Sequence, residues 1–164
     1  MPKKIFNYGR QFIDSDDIKA VTNVLKSSFL TQGKCVTEFE NLFSKKTNSN
    51  FSVSCSNGTS ALHLAFKSIS VDEKDCVIVP GITFVATANA AIMCGAQVVF
   101  CDVDPKTGLS EKEHYKKAFE IATSKGLKVK AIVVVHIYGQ SCDLTKLNKI
   151  SKKSNVPIIE DVAQ

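Results

Sequence analysis

Ala131-Ile132-Val133-Val134-Val135 places five apolar residues in succession, without the polar alternation of a strand that has one wet face. A strand of this kind must be covered on both sides, and double coverage is the habit of parallel sheets flanked by helices. Working outward, related runs occur at Phe51-Ser52-Val53-Ser54-Cys55, Cys76-Val77-Ile78-Val79, Gln97-Val98-Val99-Phe100-Cys101 and Val156-Pro157-Ile158-Ile159. Each reads as a strand. Between them lie segments of helical period: Thr59 to Ile69, with Leu62, Ala65, Phe66 and Ile69 on one face, then Phe84 to Cys94, Ser110 to Ser124 and Asp143 to Ser154. Gly95 and Gly126 stand where a left-handed C-cap ends a helix. Strand and helix alternating in this way imply right-handed crossovers, hence an α/β fold: a doubly wound, mostly parallel sheet with flanking helices.

Ahead of the first run come two amphipathic segments, Asp14 to Ser27 with Ile18, Val21 and Leu25, and Val36 to Lys46 with Phe39, Leu42 and Phe43. Asp14 or Ser15 can cap the first. Phe29-Leu30-Thr31-Gln32-Gly33-Lys34 reads as the loop joining them, with Gly33 supplying the freedom for a turn. The 164 residues suit a single core, and no repeat, low-complexity tract or linker marks a boundary.

Composition narrows the function. No apolar run approaches the ~20 residues needed to cross a bilayer, and Met1-Pro2-Lys3-Lys4 is not followed by the apolar core of a signal peptide, so a cytoplasmic protein without membrane attachment is expected. Arg10 is the only arginine, and the lysines are scattered without interleaved aromatics, which argues against nucleic acid as a partner. The cysteines, at 35, 55, 76, 94, 101 and 142, form no CxxC pair, and His63, His114 and His136 do not combine into a ligand set, so no metal site is expected.

In open parallel sheets, ligands bind at the carboxyl ends of the strands. Ser56-Asn57-Gly58-Thr59-Ser60 enters a helix as a small polar turn, which is either an ordinary helix cap or a seat offering free N–H groups and the positive end of a dipole to an anion. It lacks the Walker lysine and does not match GxGxxG, so an isolated phosphate fits better than a nucleotide. Pro80-Gly81-Ile82-Thr83-Phe84 places an aromatic ring at the start of the next helix, where it stacks on a flat ligand or serves as a core side chain. Glu160-Asp161 follows a buried run, and a carboxylate there either lies at the surface edge or needs a partner: a metal, a ribose hydroxyl, a lysine or a protonated heterocyclic nitrogen. His136, ahead of Tyr138-Gly139, can face the same crevice. A phosphate seat, a stacking ring and an acid for a ring nitrogen together describe a pocket for pyridoxal phosphate.

Here the sequence resembles the DegT/DnrJ/EryC1/StrS sugar aminotransferases, which have the fold-type I architecture. The resemblance runs in order through Tyr8-Gly9-Arg10-Gln11, Leu30-Thr31-Gln32-Gly33-Lys34, Ser56 to Leu64, Pro80 to Asn89, His136-Ile137-Tyr138-Gly139-Gln140 and Ile159 to Gln164. It implies that Gly58, Thr59 and Ser60 hold the cofactor phosphate, Phe84 stacks on the ring, Asp161 pairs with the pyridine nitrogen and Gln164 reaches the ring hydroxyl. It places Tyr8 and the Ser28, Phe29, Leu30 and Thr31 loop near a nucleotide-linked keto sugar, with glutamate as amino donor and a homodimer as the working assembly. The loop around Leu30 to Lys34 looks most like the branch that aminates the 4-keto sugar of pseudaminic acid biosynthesis.

The same resemblance implies that residues 1–164 are the N-terminal part of the cofactor-binding large domain, without the small C-terminal domain. The Schiff-base lysine of the family lies further along, so none of the lysines present is expected to act catalytically. A nucleotide-sugar aminotransferase interrupted before its lysine is the leading expectation, and a non-catalytic binding or assembly module is the alternative.

Overall fold

The structure is a computed structural model that describes Gly9 and residues 11–163. The chain divides into two compact units, Met1–Ser54 and Cys55–Gln164, where length alone suggests a single core.

The first unit holds α1 (Ser15–Leu25) and α2 (Lys34–Thr47). Asp14 caps α1, its Oδ1 accepting from the N–H groups of Asp16 at 2.9 Å and Asp17 at 3.1 Å, while the Asp17 carboxylate accepts from the Asp14 N–H. Gly33 caps α2 with an ordinary φ of −78°, and the positive φ in that loop belongs to Gln32, at +50°, so the turn does not use the glycine's freedom. Neither helix buries a residue: Ile18, Val21 and Leu25 on α1 and Phe39, Leu42 and Phe43 on α2 are all exposed.

Phe51 to Cys55 is a correction to the strand reading. The stretch pairs with no sheet among the described residues; it is tied to α2 instead. Ser52 Oγ donates to the Glu40 carbonyl at 2.6 Å, and the Ser54 N–H and hydroxyl donate to the Glu40 carboxylate at 2.8 and 2.9 Å. These two donors, backbone first, hold the Glu40 carboxyl below its usual value. Alternating Phe51 and Val53 with serines mimics strand patterning, yet both apolar side chains remain exposed.

The second unit is a four-stranded parallel sheet in the order β2-β1-β3-β4, with β1 (Asp75–Pro80), β2 (Gln97–Cys101), β3 (Lys128–Val135) and β4 (Ile158–Asp161). Around it lie α3 (Gly58–Ser68), α4 (Val85–Ile92), α5 (Lys112–Ser124) and α6 (Leu144–Ser154). The period of two along the strands sends alternate residues into two cores. Val77, Val79, Ala131, Val133 and Val135 pack with Leu62 and Phe66 of α3 and the alanines of α4. Cys76, Ile78, Ile132 and Val134 pack on the opposite face with Tyr115, Ala118 and Ala122 of α5 and Leu147 and Ile150 of α6. The apolar runs of β1 and β3 therefore mark strands buried on both faces, as read from Ala131 to Val135, whereas the run of β2 lies at the sheet edge with Phe100 exposed.

β4 begins two residues later than the apolar run suggests, because Pro157 has no N–H for the ladder; its carbonyl accepts from the Ile132 N–H at 3.1 Å. The strand consequently takes in Glu160 and Asp161, which oppose Val134 and Val135 of β3. From β1 the chain crosses by α4 to β2 on one side; from β3 it crosses by α6 to β4 on the other. The order of winding reverses between β1 and β3, so the crevice beyond their carboxyl ends is the topological switch point. Gly95 and Gly126 end α4 and α5 with φ of +89° and +68°, as their positions suggest. Among the described residues no helix is long and apolar enough to cross a membrane.

Candidate functional site

Three segments of the second unit meet at the switch point. Asp161, the last residue of β4, has the parity of Ile159 and points to the α3/α4 face, where it is buried. Its Oδ2 accepts from Thr87 Oγ1 of α4 at 2.7 Å, and its Oδ1 from the Ala163 N–H at 3.3 Å. Ala163 in turn adjoins the first turn of α3: a Cβ built on Gly58 would stand 3.7 Å from the Ala163 Cβ. Phe84 caps α4 one helical turn before Thr87 and is 69% exposed. Through Ala163 the acid adjoins the start of α3, and through Thr87 it is bonded to the helix that Phe84 begins. An exposed Phe84 removes the reading of that ring as core.

The start of α3 is capped by Asn57, whose Oδ1 accepts from the Ser60 N–H at 2.9 Å. Ser60 Oγ lies 3.3 Å from Ser56 Oγ. In the first turn of a helix the N–H groups have no partner within the helix, so those of Gly58 and Thr59 stand at the positive end of the α3 dipole. The Gly58 position is exposed and its Cβ would meet only an ordinary contact, so its backbone is open to an anion.

The neighbouring acid has a different role. Glu160 has the parity of Ile158 and lies toward the α5/α6 face, where its Oε2 is 3.1 Å from His136 Nε2. His136 Nδ1 accepts from the Cys142 N–H at 3.1 Å, and its main-chain N–H donates to the Asp161 carbonyl, also at 3.1 Å. Burial, and secondarily the charge of Glu160, push the Cys142 thiol above its usual value. His136 is therefore engaged beneath the crevice, and one step of strand alternation separates the two carboxylates into two environments.

Thr83 and Thr87 were not legible as site residues. Their i, i+4 spacing and the presence of a hydroxyl in an alanine-rich helix are the available signals; only the tertiary contact of Thr87 with the end of β4 gives them meaning. Ser28, Phe29, Leu30 and Thr31 belong to the first unit, where Phe29 and Leu30 are exposed and Ser27 Oγ donates to the Phe29 carbonyl at 3.0 Å. Tyr8 and Gln164 lie outside the described residues. Lys34 forms an exposed pair with Glu38 at 3.2 Å, consistent with a solvated lysine. A cleft of about 470 Å³ between the starts of α5 and α6 excludes Phe84 and Asp161. Its Asp143 and Lys146 are paired with each other at 3.0 Å, the chemistry of a helix cap.

The sequence model of the DegT/DnrJ/EryC1/StrS aminotransferase family matches residues 11–164. The chain is 36% identical over 159 residues to a UDP-4-amino-4,6-dideoxy-N-acetyl-beta-L-altrosamine transaminase of Campylobacter jejuni, covering 97% of this chain and 41% of that protein. A crystal structure of a DegT DnrJ EryC1 StrS aminotransferase from Brucella abortus superposes with a TM-score of 0.83 at 29% identity, over 87% of this chain and 39% of the other. The Bacillus subtilis protein ntda, solved with bound cofactor PMP, superposes with a TM-score of 0.81 at 25% identity, over 93% of this chain and 34% of that one. The chain thus spans about two fifths of the length of the curated relatives it matches.

Proposed function

The chain belongs to the DegT/DnrJ/EryC1/StrS aminotransferase family, and we propose that it is the N-terminal part of the pyridoxal phosphate-binding large domain of a nucleotide-sugar aminotransferase. The observation that supports this reading most directly is the buried Asp161 at the end of β4, bonded to Thr87 of the helix that the exposed Phe84 begins and joined through Ala163 to the start of α3.

The donor set fits pyridoxal phosphate. The Gly58 and Thr59 N–H groups, with Ser60 beside them, seat the dianionic phosphate at the positive end of α3. Phe84 offers its face to the pyridine ring. The Asp161 carboxylate holds a proton on the ring nitrogen. Gln164 is assigned to the ring hydroxyl. When bound, the cofactor supplies an electron sink whose strength depends on that ring proton. Burial of Asp161 excludes water from the carboxylate, which strengthens its attraction for a cationic ring.

The acceptor is a nucleotide-linked keto hexose, and the donor is glutamate. Tyr8 and the Ser28 to Thr31 loop are assigned to the sugar. The lysine that the family uses for covalent attachment is not among these residues, and we place it on sequence outside 1–164, together with the small domain. The working assembly is a cytoplasmic homodimer.

Equilibrium binding of pyridoxamine 5′-phosphate to the 164-residue chain tests the reading, because this amine does not condense with surface lysines. Saturable binding that weakens at least about tenfold in Asp161→Ala, as expected for loss of a charge-assisted hydrogen bond, supports it. Equal binding by the two proteins, or none by either, removes the cofactor assignment.

A further inference from the structure

Under the candidate site runs a pair of threonines whose hydrogen bonds have only one possible direction. Thr83 Oγ1 is 2.7 Å from Thr87 Oγ1, and Thr87 Oγ1 is 2.7 Å from Asp161 Oδ2. A carboxylate only accepts, so Thr87 gives its single proton to Asp161. It must then accept from Thr83. The order is Thr83 to Thr87 to Asp161.

The location argues that the hydroxyl is there for the carboxylate. Thr87 is fully buried, surrounded along α4 by Ala86, Ala88, Ala90 and Ala91. Valine has nearly the same shape and would be the cheaper occupant of such a site, since a buried hydroxyl costs free energy unless it is bonded. With Oδ2 held by Thr87 and Oδ1 by the Ala163 N–H at 3.3 Å, both oxygens of Asp161 have a protein donor and the carboxylate plane is set. On the opposite face of β4, Glu160 lies 3.1 Å from His136 and so is turned away from Thr87. Thr87 is the side-chain donor to Asp161 among the described residues.

We propose that Thr87, oriented by Thr83, is a positioning residue that fixes the Asp161 carboxylate in the plane and direction required by the ring nitrogen of a pyridoxal-type cofactor. The proposal rests on the cofactor reading above and extends it to a residue that touches the acid instead of the ring. Without the Thr87 proton, the Ala163 N–H to Oδ1 is, among the described residues, the one donor left to set the carboxylate plane, and Oδ2 is buried with no protein donor. The direct contact to the ring nitrogen then weakens, and so does the hold on the ring proton.

The test uses pyridoxamine 5′-phosphate labelled with ¹⁵N at the ring nitrogen, bound to the 164-residue chain and its variants at pH 8. The ¹⁵N resonance reports protonation of that atom, which a purely structural role for Thr87 would not change. Thr87→Val is expected to weaken binding about tenfold or more, the scale of a hydrogen bond to a charged group, and to move the resonance toward the unprotonated position. Thr87→Ser keeps the proton and is expected to restore both. Thr83→Val is expected to give a smaller shift in the same direction. Thermal melting of each variant identifies one that does not fold; if Thr87→Val fails, Thr83→Val decides, an unchanged resonance overturning the proposal. Wild-type affinity and an unmoved resonance in folded Thr87→Val overturn the positioning role alone. No binding by the wild-type chain overturns the cofactor reading and this proposal with it.

Discussion

The Tyr115 hydroxyl donates to the main-chain carbonyl of Val133 across 2.7 Å, tying the buried face of α5 to β3. Both residues are fully buried, so the bond is shielded from competing water. Tyr115→Phe removes the donor while retaining the ring and its packing. It is expected to cost about 1–2 kcal/mol of stability. Urea denaturation checks this; a variant as stable as the parent would show that the bond contributes nothing net.

Stability should fall in alkali. Burial pushes the Tyr115 phenol above its ordinary range and raises the Cys101 thiol from 9.0 to about 11. Above pH 9 the unfolded chain releases protons that the folded chain retains, so rising pH favours unfolding. The stabilisation is complete below the ordinary thiol value and is lost between about pH 9 and 11 for Cys101, with Tyr115 adding above about pH 10. Cys101 alone accounts for about 2 kcal/mol by pH 11. The urea midpoint is expected to be flat from pH 7 to 8.5 and to fall beyond 9, less steeply in Cys101→Ala.

Two glycines end helices in the same conformation but with different surroundings. Gly95 has a φ of +89°, and a Cβ there would lie 3.2 Å from Glu73 Cβ and 3.3 Å from the Glu73 backbone. Gly126 has a φ of +68° with nothing within 4 Å of such a Cβ. Gly126→Ala therefore costs only the left-handed conformation, about 1 kcal/mol, whereas Gly95→Ala adds a clash with backbone and is expected to cost about 2–3 kcal/mol. Thermal melts of the two variants should rank in that order; the reverse would contradict the packing of Gly95 on Glu73.

Phe84 separates a core role from a binding role. Because 69% of it is exposed, Phe84→Ala should change stability by no more than about 0.5 kcal/mol, against the roughly 3–5 kcal/mol of a core phenylalanine. Loss of ring stacking should weaken pyridoxamine 5′-phosphate binding about threefold to tenfold. Melting and titration on the same variant measure both quantities. A large drop in stability with unaltered binding would return the ring to the core.

Where the strands and helices of the second unit lie is readable because continuous apolar runs and helical periodicity are local imprints of burial, whichever distant elements supply the cover. Phe51 to Cys55 was misread for the same reason: its alternation is real, but a strand also needs a hydrogen-bonding partner, and Glu40 supplies the bonds that a ladder would have supplied. Pro157 likewise moved the start of β4 toward Asp161 by lacking an N–H.

The residues themselves determined that a parallel sheet exists, that small polar, aromatic and acidic groups follow its strands, and that they match one aminotransferase family. Strand patterning does not say which member of Glu160-Asp161 turns to the α3/α4 face, because Ile158 and Ile159 are both apolar and parity cannot be assigned from such a pair; only the family resemblance points to Asp161. The register of β4 on β3 decides it, turning Asp161 toward Thr87 and Glu160 toward His136. Thr87 and Asp161 are 74 positions apart; contact between groups so distant in sequence arises only when α4 lies on the sheet with Thr87 within reach of the end of β4, a property of the folded chain and of no local pattern.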